Sequence, residues 1–125
     1  MHWSVLAAIL FVAVAAAEPE EYQLLRFGAS WCEPCHALDK QMKTDKVKEA
    51  LKKHKVKDVF IDIDKDTKGA SNYKIEEVPT CILIRLDKKK EAHVLKRKSG
   101  SMSTEEILKL INPDEPEPEV TPKKD

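Results

Sequence analysis

The chain has no net charge to offer a polyanion. Its 22 Lys and Arg are balanced by 22 Asp and Glu, and a protein that gathers nucleic acid electrostatically needs a basic excess. It also lacks an apolar run of bilayer length. The run from Val5 to Ala17 is 13 residues long, whereas a helix needs about 20 to cross the hydrocarbon layer. No Lys or Arg precedes that run; only the amino group and His2 supply positive charge there. No internal repeat appears, and cysteine is limited to three residues.

What is present at the N-terminus fits an export signal. The run closes on Ala15-Ala16-Ala17 and is followed at once by Glu18-Pro19-Glu20-Glu21, so small residues occupy the positions a signal peptidase inspects. Residues 1–17 are expected to be a signal peptide cleaved after Ala17, with an uncleaved anchor or a buried helix as alternatives. The mature chain would then work in an oxidising space, the periplasm or a secretory lumen. At the other end, Pro113, Pro116, Pro118 and Pro122 alternate with Asp114, Glu115, Glu117 and Glu119. Such a segment buries too little apolar surface to offset its chain entropy, so residues 113–125 are expected to form a disordered acidic tail. One small domain, residues 18–112, remains. The lysines between Lys40 and Lys57 surround apolar positions at helical spacing and read as a solvated helix face, with an anionic partner or a membrane surface as the alternative.

Within that domain strands and helices alternate. Residues 22–27 form a strand pattern closed by Gly28-Ala29-Ser30, and from Pro34 a helix places Leu38 and Met42 on one face. Thr44 or Asp45 can cap a further helical stretch with Val47, Ala50 and Leu51 inward. Val59 to Ile63 is β-branched and aromatic, a second strand. Asp66 or Thr67 opens a short helix through Ala70 to Tyr73. Cys81 to Ile84 is continuously apolar, as in a strand covered on both faces. A charged turn over 87–90, a last strand over 92–95 and a break at Gly100 follow. Ser103 with Glu106 three residues on makes a capping box for a final helix ended by Asn112-Pro113. The expected architecture is α/β, a central mixed β-sheet flanked by helices in the order β-α-β-α-β-β-α.

The chemistry lies at the first strand-to-helix turn, Trp31-Cys32-Glu33-Pro34-Cys35-His36. A cysteine there meets the orphan N–H groups and the positive end of the helix dipole, which favour thiolate over thiol. Cys32 holds that position and is the candidate nucleophile; Cys35, one turn inward, is the candidate resolving thiol. Cys32 would attack a client disulfide, and Cys35 would then attack the mixed disulfide and release the product. Pro34 is tolerated in the first turn because its missing N–H has no partner there. Glu33 opposes thiolate formation by its charge, and His36 favours it if protonated.

Phe27-Gly28-Ala29-Ser30-Trp31-Cys32-Glu33-Pro34-Cys35, followed by Val78-Pro79-Thr80 and Gly100, resembles the thioredoxin superfamily over residues 22–111. Residues 35–39 and 44–47 are similar to the secreted thioredoxin-like domains typified by the periplasmic C-terminal domain of the transmembrane thiol:disulfide interchange reductase. The resemblance implies a thioredoxin fold, a cis Pro79, a loop of Val78, Pro79 and Thr80 that holds the client backbone beside Cys32, and Trp31 at the rim of the site. It implies no cofactor beyond the redox-active Cys32–Cys35 disulfide, and no metal. Its partners would be disulfide-bearing or dithiol proteins, with a membrane thiol reductase as electron donor and no nucleic acid; a monomer is expected.

Three departures accompany the resemblance: Glu33 stands where the first residue between the cysteines is usually glycine, and the other two lie behind the pair. The buried acidic residue that thioredoxins carry six positions before the first cysteine is Arg26 here, and the lysine that partners it aligns with Phe60. Arg26 is expected either to lie near the sulfurs, where it would stabilise thiolate and so the reduced form, or to point outward or pair with Asp62.

The functional expectation is a thiol–disulfide oxidoreductase, with reduction the favoured direction. A redox-inactive binding module on the same fold is the first alternative. A c-type haem protein using Cys32, Cys35 and His36 is the second, since Cys-x-x-Cys-His is also the haem attachment pattern; Met42 or Met102 would have to supply its distal ligand. Zinc would need four ligands, and Cys81, His54 and His93 lack paired spacing. Cys81 reads as a small buried hydrophobe, with a regulatory or third redox role as the alternative.

Overall fold

The computed structural model describes residues 20–115. The signal-peptide expectation and most of the tail expectation therefore lie outside the described residues. No helix among those described is long and apolar enough to cross a membrane.

Eight elements follow in order: β1 (Glu21–Gly28), α1 (Glu33–Met42), α2 (Asp45–His54), β2 (Val56–Asp62), α3 (Thr67–Asn72), β3 (Thr80–Leu86), β4 (Ala92–Ser99) and α4 (Thr104–Leu110). The first helical region of the expected order is thus two helices. They part at Lys43-Thr44, where Thr44 takes an extended backbone (φ −68°, ψ 149°). Its hydroxyl does not cap α2; it donates back to the Gln41 carbonyl at 2.7 Å.

The sheet order is β2-β1-β3-β4, with β1 parallel to β2 and the other pairs antiparallel. Side chains alternate across a strand, so the sheet builds two cores. Leu24, Cys81 and Leu83 face one way and pack with Leu38, Met42 and Val47 of α1 and α2 and with Ile107 and Leu110 of α4. Leu25, Phe27, Ile82 and Ile84 face the other way, against Val59, Ile61 and Tyr73. The continuous burial of Thr80 to Ile84 follows from that double cover. Each Leu or Ile side chain fully removed from water contributes about 1.5–3 kcal/mol.

All four strands are longer than the sequence pattern indicates, with β2 and β4 extended furthest at one end. β2 starts at Val56, which is buried, and β4 runs on through Lys96, Arg97 and Lys98. Those cations conceal a strand because each is engaged by a group distant in sequence. Lys96 is only 6% exposed and donates to the carbonyls of Lys109 and Asn112, closing the C-terminal end of α4. Arg97 donates to the carbonyls of Tyr73 and Lys74 beyond α3. Gly100 ends β4 with φ +87°, a conformation few L-residues adopt, and its N–H donates to the Pro79 carbonyl at 2.8 Å.

The capping box on α4 forms as expected. The Glu106 N–H donates to Ser103 Oγ and the Ser103 N–H to Glu106 Oε1, both at 3.2 Å. Lys98 Nζ lies 2.6 Å from Glu106 Oε2. The Lys98 hydrogen bond first, and the Ser103 bonds after it, pull the carboxyl from its ordinary 4.5 down to about 2. A depressed carboxylate stabilises the fold above its unfolded pKa and stops doing so as pH falls through the folded value. The stability difference between wild type and Glu106→Gln is therefore expected to be constant above pH 4.5 and to fade towards pH 2. Thermal melts of both proteins across that range check it, and a difference that does not change with pH refutes it.

Candidate active site

The site forms where β1 ends and α1 begins. Cys32 is the N-cap residue of α1, with an extended backbone (φ −94°, ψ 107°), and Pro34 lies in the first turn. The Cys35 N–H donates to Cys32 Sγ at 3.2 Å, so the cap is made by sulfur in place of the usual side-chain oxygen. The two cysteines form a disulfide with Cα atoms 5.2 Å apart. Both are buried, in a small cluster with Ala29 against which Ile63 and Val78 pack. Chemically the arrangement places one sulfur at the positive end of a helix and a second directly behind it.

The flanking residues divide into rim, brace and backing. Trp31 is 66% exposed, and its indole N–H donates to Asp64 Oδ2 at 2.9 Å, which fixes the ring over the loop after β2. His36 Nε2 donates to the Ser30 carbonyl at 2.7 Å, so this exposed side chain ties the helix back to the loop that precedes it. Glu33 is exposed in the first turn of α1. Across from the disulfide, the Val78–Pro79 peptide bond is cis. Pro79 and Thr80 are fully buried. Thr80 Oγ1 donates to the Glu77 carbonyl at 2.7 Å and shares a hydrogen bond with Ser99 Oγ at 2.8 Å. The Pro79 carbonyl is taken by Gly100. Val78, by contrast, has neither its N–H nor its C=O in a hydrogen bond among the described residues.

Arg26 corrects the sequence-based expectation. It pairs with Asp58 and Asp39, not with Asp62: Nε and Nη2 donate to the two oxygens of Asp58 at 2.6 and 3.0 Å, and Nη1 donates to Asp39. Asp58 and Asp62 share the face of β2 that Arg26 sees, one two positions before Phe60 and the other two after. The choice falls on Asp58 because Asp39 of α1 adds a second acceptor on that side. The Phe60 ring closes the other side: the guanidinium lies over its face, 5.6 Å from the centroid. The same ring reaches Gly28, where an added Cβ would stand 2.9 Å from Phe60 Cε2 and 3.4 Å from Cys35 Sγ. Asp62 instead accepts from the Asp64 N–H. Burial opposes the charge on Arg26, but the hydrogen bonds and charges of Asp58 and Asp39 outweigh it and raise its pKa above the ordinary value.

Cys81 lies opposite Arg26 in the β1–β3 ladder, 1% exposed. Burial pushes its thiol up to about 12, against the opposing charge of Arg26. It is therefore a neutral thiol at physiological pH, inert towards exchange.

The family profile described as Thioredoxin matches residues 10–112. The chain belongs to the thioredoxin family. Among solved structures it is similar to a malarial protein (26% identity, TM-score 0.56, covering 73% of this chain and 93% of that one). It is also similar to a thioredoxin from Trichomonas vaginalis (26% identity, TM-score 0.54, covering 64% and 68%). A third is the disulphide isomerase of Xylella fastidiosa (25% identity, TM-score 0.56, covering 73% and 76%). No curated protein sequence matches it significantly. With its Cys32–Cys35 disulfide, this thioredoxin-family chain is a thiol–disulfide oxidoreductase in the general sense.

Asp64, Asp39 and Asp58 escaped sequence reasoning. Trp31 and Asp64 are 33 residues apart, and no local pattern marks either as the other's partner.

Proposed function

We propose that the protein reduces disulfides of client proteins in an extracytoplasmic oxidising compartment, through Cys32 as nucleophile and Cys35 as resolving thiol. The observation that carries this reading is the Cys35 N–H aimed at Cys32 Sγ at the helix N-terminus. A thiolate at Cys32 keeps that donor and gains from the helix dipole, each gain typically below about 2 kcal/mol. Cys32 attacks the client disulfide, one client thiol leaves, and Cys35 then displaces the second by attacking Cys32 Sγ. The dithiol gives up two electrons and the client disulfide takes them.

Client docking falls to Trp31 at the exposed rim and to the main chain of Val78. Thr80 and Pro79 have committed their polar atoms inward and hold that loop in place. An extended client segment pairs with the free Val78 N–H and C=O as one strand pairs with another. Arg26, neutralised by two carboxylates, shapes the floor below Phe60, and His36 and Pro34 set the loop geometry. Re-reduction in an oxidising space needs a donor, for which a membrane thiol reductase has the right chemistry. Against the haem alternative stands the strand-to-helix setting of the pair, which suits disulfide exchange.

The test is insulin-disulfide reduction together with a redox titration of Cys32–Cys35 against glutathione. A reductant gives turnover and a midpoint of about −270 mV, whereas a midpoint of about −180 mV makes it an isomerase-like exchanger. No turnover and no titrating pair sinks the enzyme reading and leaves the binding module.

A further inference from the structure

The eight lysines of residues 40–57 stand against only two carboxylates, Asp45 and Glu49, while the whole chain is neutral. None of these lysines forms an ion pair among the described residues. A solvated helix face needs no recess, yet a groove of about 420 Å³ opens in this patch between α1, α2 and the edge strand β2. Its apolar wall is Met42, Leu51 and Phe60, and Lys43 and Lys48 stand free beside it. Phe60 is 48% exposed, one of only three large hydrophobic side chains left so open among the described residues. The carboxylates in the groove, Asp39 and Asp58, are already consumed by Arg26. The charge it has left to offer is positive.

The groove is built on the same elements as the active site. The Phe60 ring that walls it also abuts Gly28 beside Cys35 Sγ, and α1 runs from Cys32 at its N-cap to Lys43 at its C-cap. Those eleven residues span about 16 Å at 1.5 Å per residue. An extended chain covers that distance in about five residues. We infer that this groove is a client subsite that receives an acidic segment bearing one apolar side chain, about five residues from the client cysteine. The apolar side chain enters against Phe60, Leu51 and Met42, and the acidic residues face Lys43 and Lys48. A bilayer is the poorer fit, because the apolar surface is a recess and not a ridge.

The inference rests on the reading of the protein as a disulfide reductase, so the two are tested apart. The substrates are peptides with one cysteine held in mixed disulfide with 2-mercaptoethanol and, about five residues away, a Leu flanked by Glu, Gln or Lys. Cys32 sulfur bonds to the peptide sulfur and 2-mercaptoethanol leaves; Cys35 then displaces the peptide thiolate as the dithiol becomes a disulfide. With the reduced full chain at low salt, the Glu peptide is expected to react about tenfold faster than the Lys peptide. The gap narrows by about 0.3 M salt.

Lys43→Glu with Lys48→Glu is expected to erase or invert that order, leaving reduction of the small neutral 2-hydroxyethyl disulfide as in wild type. Phe60→Ala removes the advantage of Leu over Gly within acidic peptides. Equal rates for the three peptides, or an order unchanged in the double variant, overturn the inference. So does binding to phosphatidylglycerol vesicles that the double variant loses while peptide rates never differ, which assigns the patch to membranes. If wild type leaves 2-hydroxyethyl disulfide intact, the reductase reading falls, and binding of a Ser-for-Cys acidic peptide at Lys43, Lys48 and Phe60 by NMR decides the subsite alone.

Discussion

Cys35→Ala protein mixed with disulfide-bearing clients is expected to accumulate covalent adducts through Cys32, and Cys32→Ser to accumulate none. Both variants should lose about 10³-fold or more of insulin reduction, since the pair acts as a unit and neither sulfur completes the cycle alone. The asymmetry between them comes from position. Only Cys32 is the N-cap residue, with a backbone N–H already pointed at its sulfur. Cys35 lies inside the first turn of α1, and since both cysteines are nearly fully buried, at 4% and 3% exposed, it is this position and not exposure that sets them apart. Mass spectrometry of non-reducing gel bands reads the outcome. Adducts formed equally through Cys35 in the Cys32→Ser protein would reverse the assignment of the two roles.

The second large effect is on stability. Arg26→Met is expected to cost about 2–3 kcal/mol of unfolding free energy, below the 3–5 typical of a fully buried broken pair because Asp39 and Asp58 keep partial access to water. The loss has a specific origin: the Arg26 side chain is 11% exposed and its guanidinium serves two carboxylates and an aromatic face at once. Without it, Asp39 and Asp58 face each other as like charges. Adding Asp39→Asn and Asp58→Asn to Arg26→Met should therefore recover more than half of the deficit, as a cycle on interacting groups requires. Urea unfolding of wild type, Arg26→Met, the Asp39→Asn/Asp58→Asn protein and the triple variant measures it. If Arg26→Met alone costs less than about 0.5 kcal/mol, the network is a surface decoration of the ordinary kind.

Much of the framework was legible in the sequence because its causes are local. The burial of Leu38, Met42 and Val47 follows from helical spacing, that of Cys81 to Ile84 from an unbroken apolar run, and the start of α4 from Ser103 and Glu106. Local pattern failed where a charged side chain found a distant partner. Lys96, Arg97 and Lys98 look like a turn or a solvated edge, yet they continue β4 because carbonyls at the ends of α3 and α4 and the Glu106 carboxylate receive them. The split of the first helical region was readable only as a possible second cap at Thr44.

The active-site hexapeptide shows the same division. That Cys32 stands at a strand-to-helix turn with Cys35 one turn behind was determined by the sequence itself, through strand alternation up to Phe27, the Gly28-Ala29-Ser30 break and helix periodicity after Pro34. Those are effects of neighbours within a few residues, and they do not depend on how the rest of the chain packs. Which carboxylate holds Arg26, which one holds Trp31, and which main-chain groups opposite the disulfide stay free were decided only by the tertiary structure. Each depends on sheet order and register, which bring together residues more than 30 positions apart, as Arg26 with Asp58 and Trp31 with Asp64.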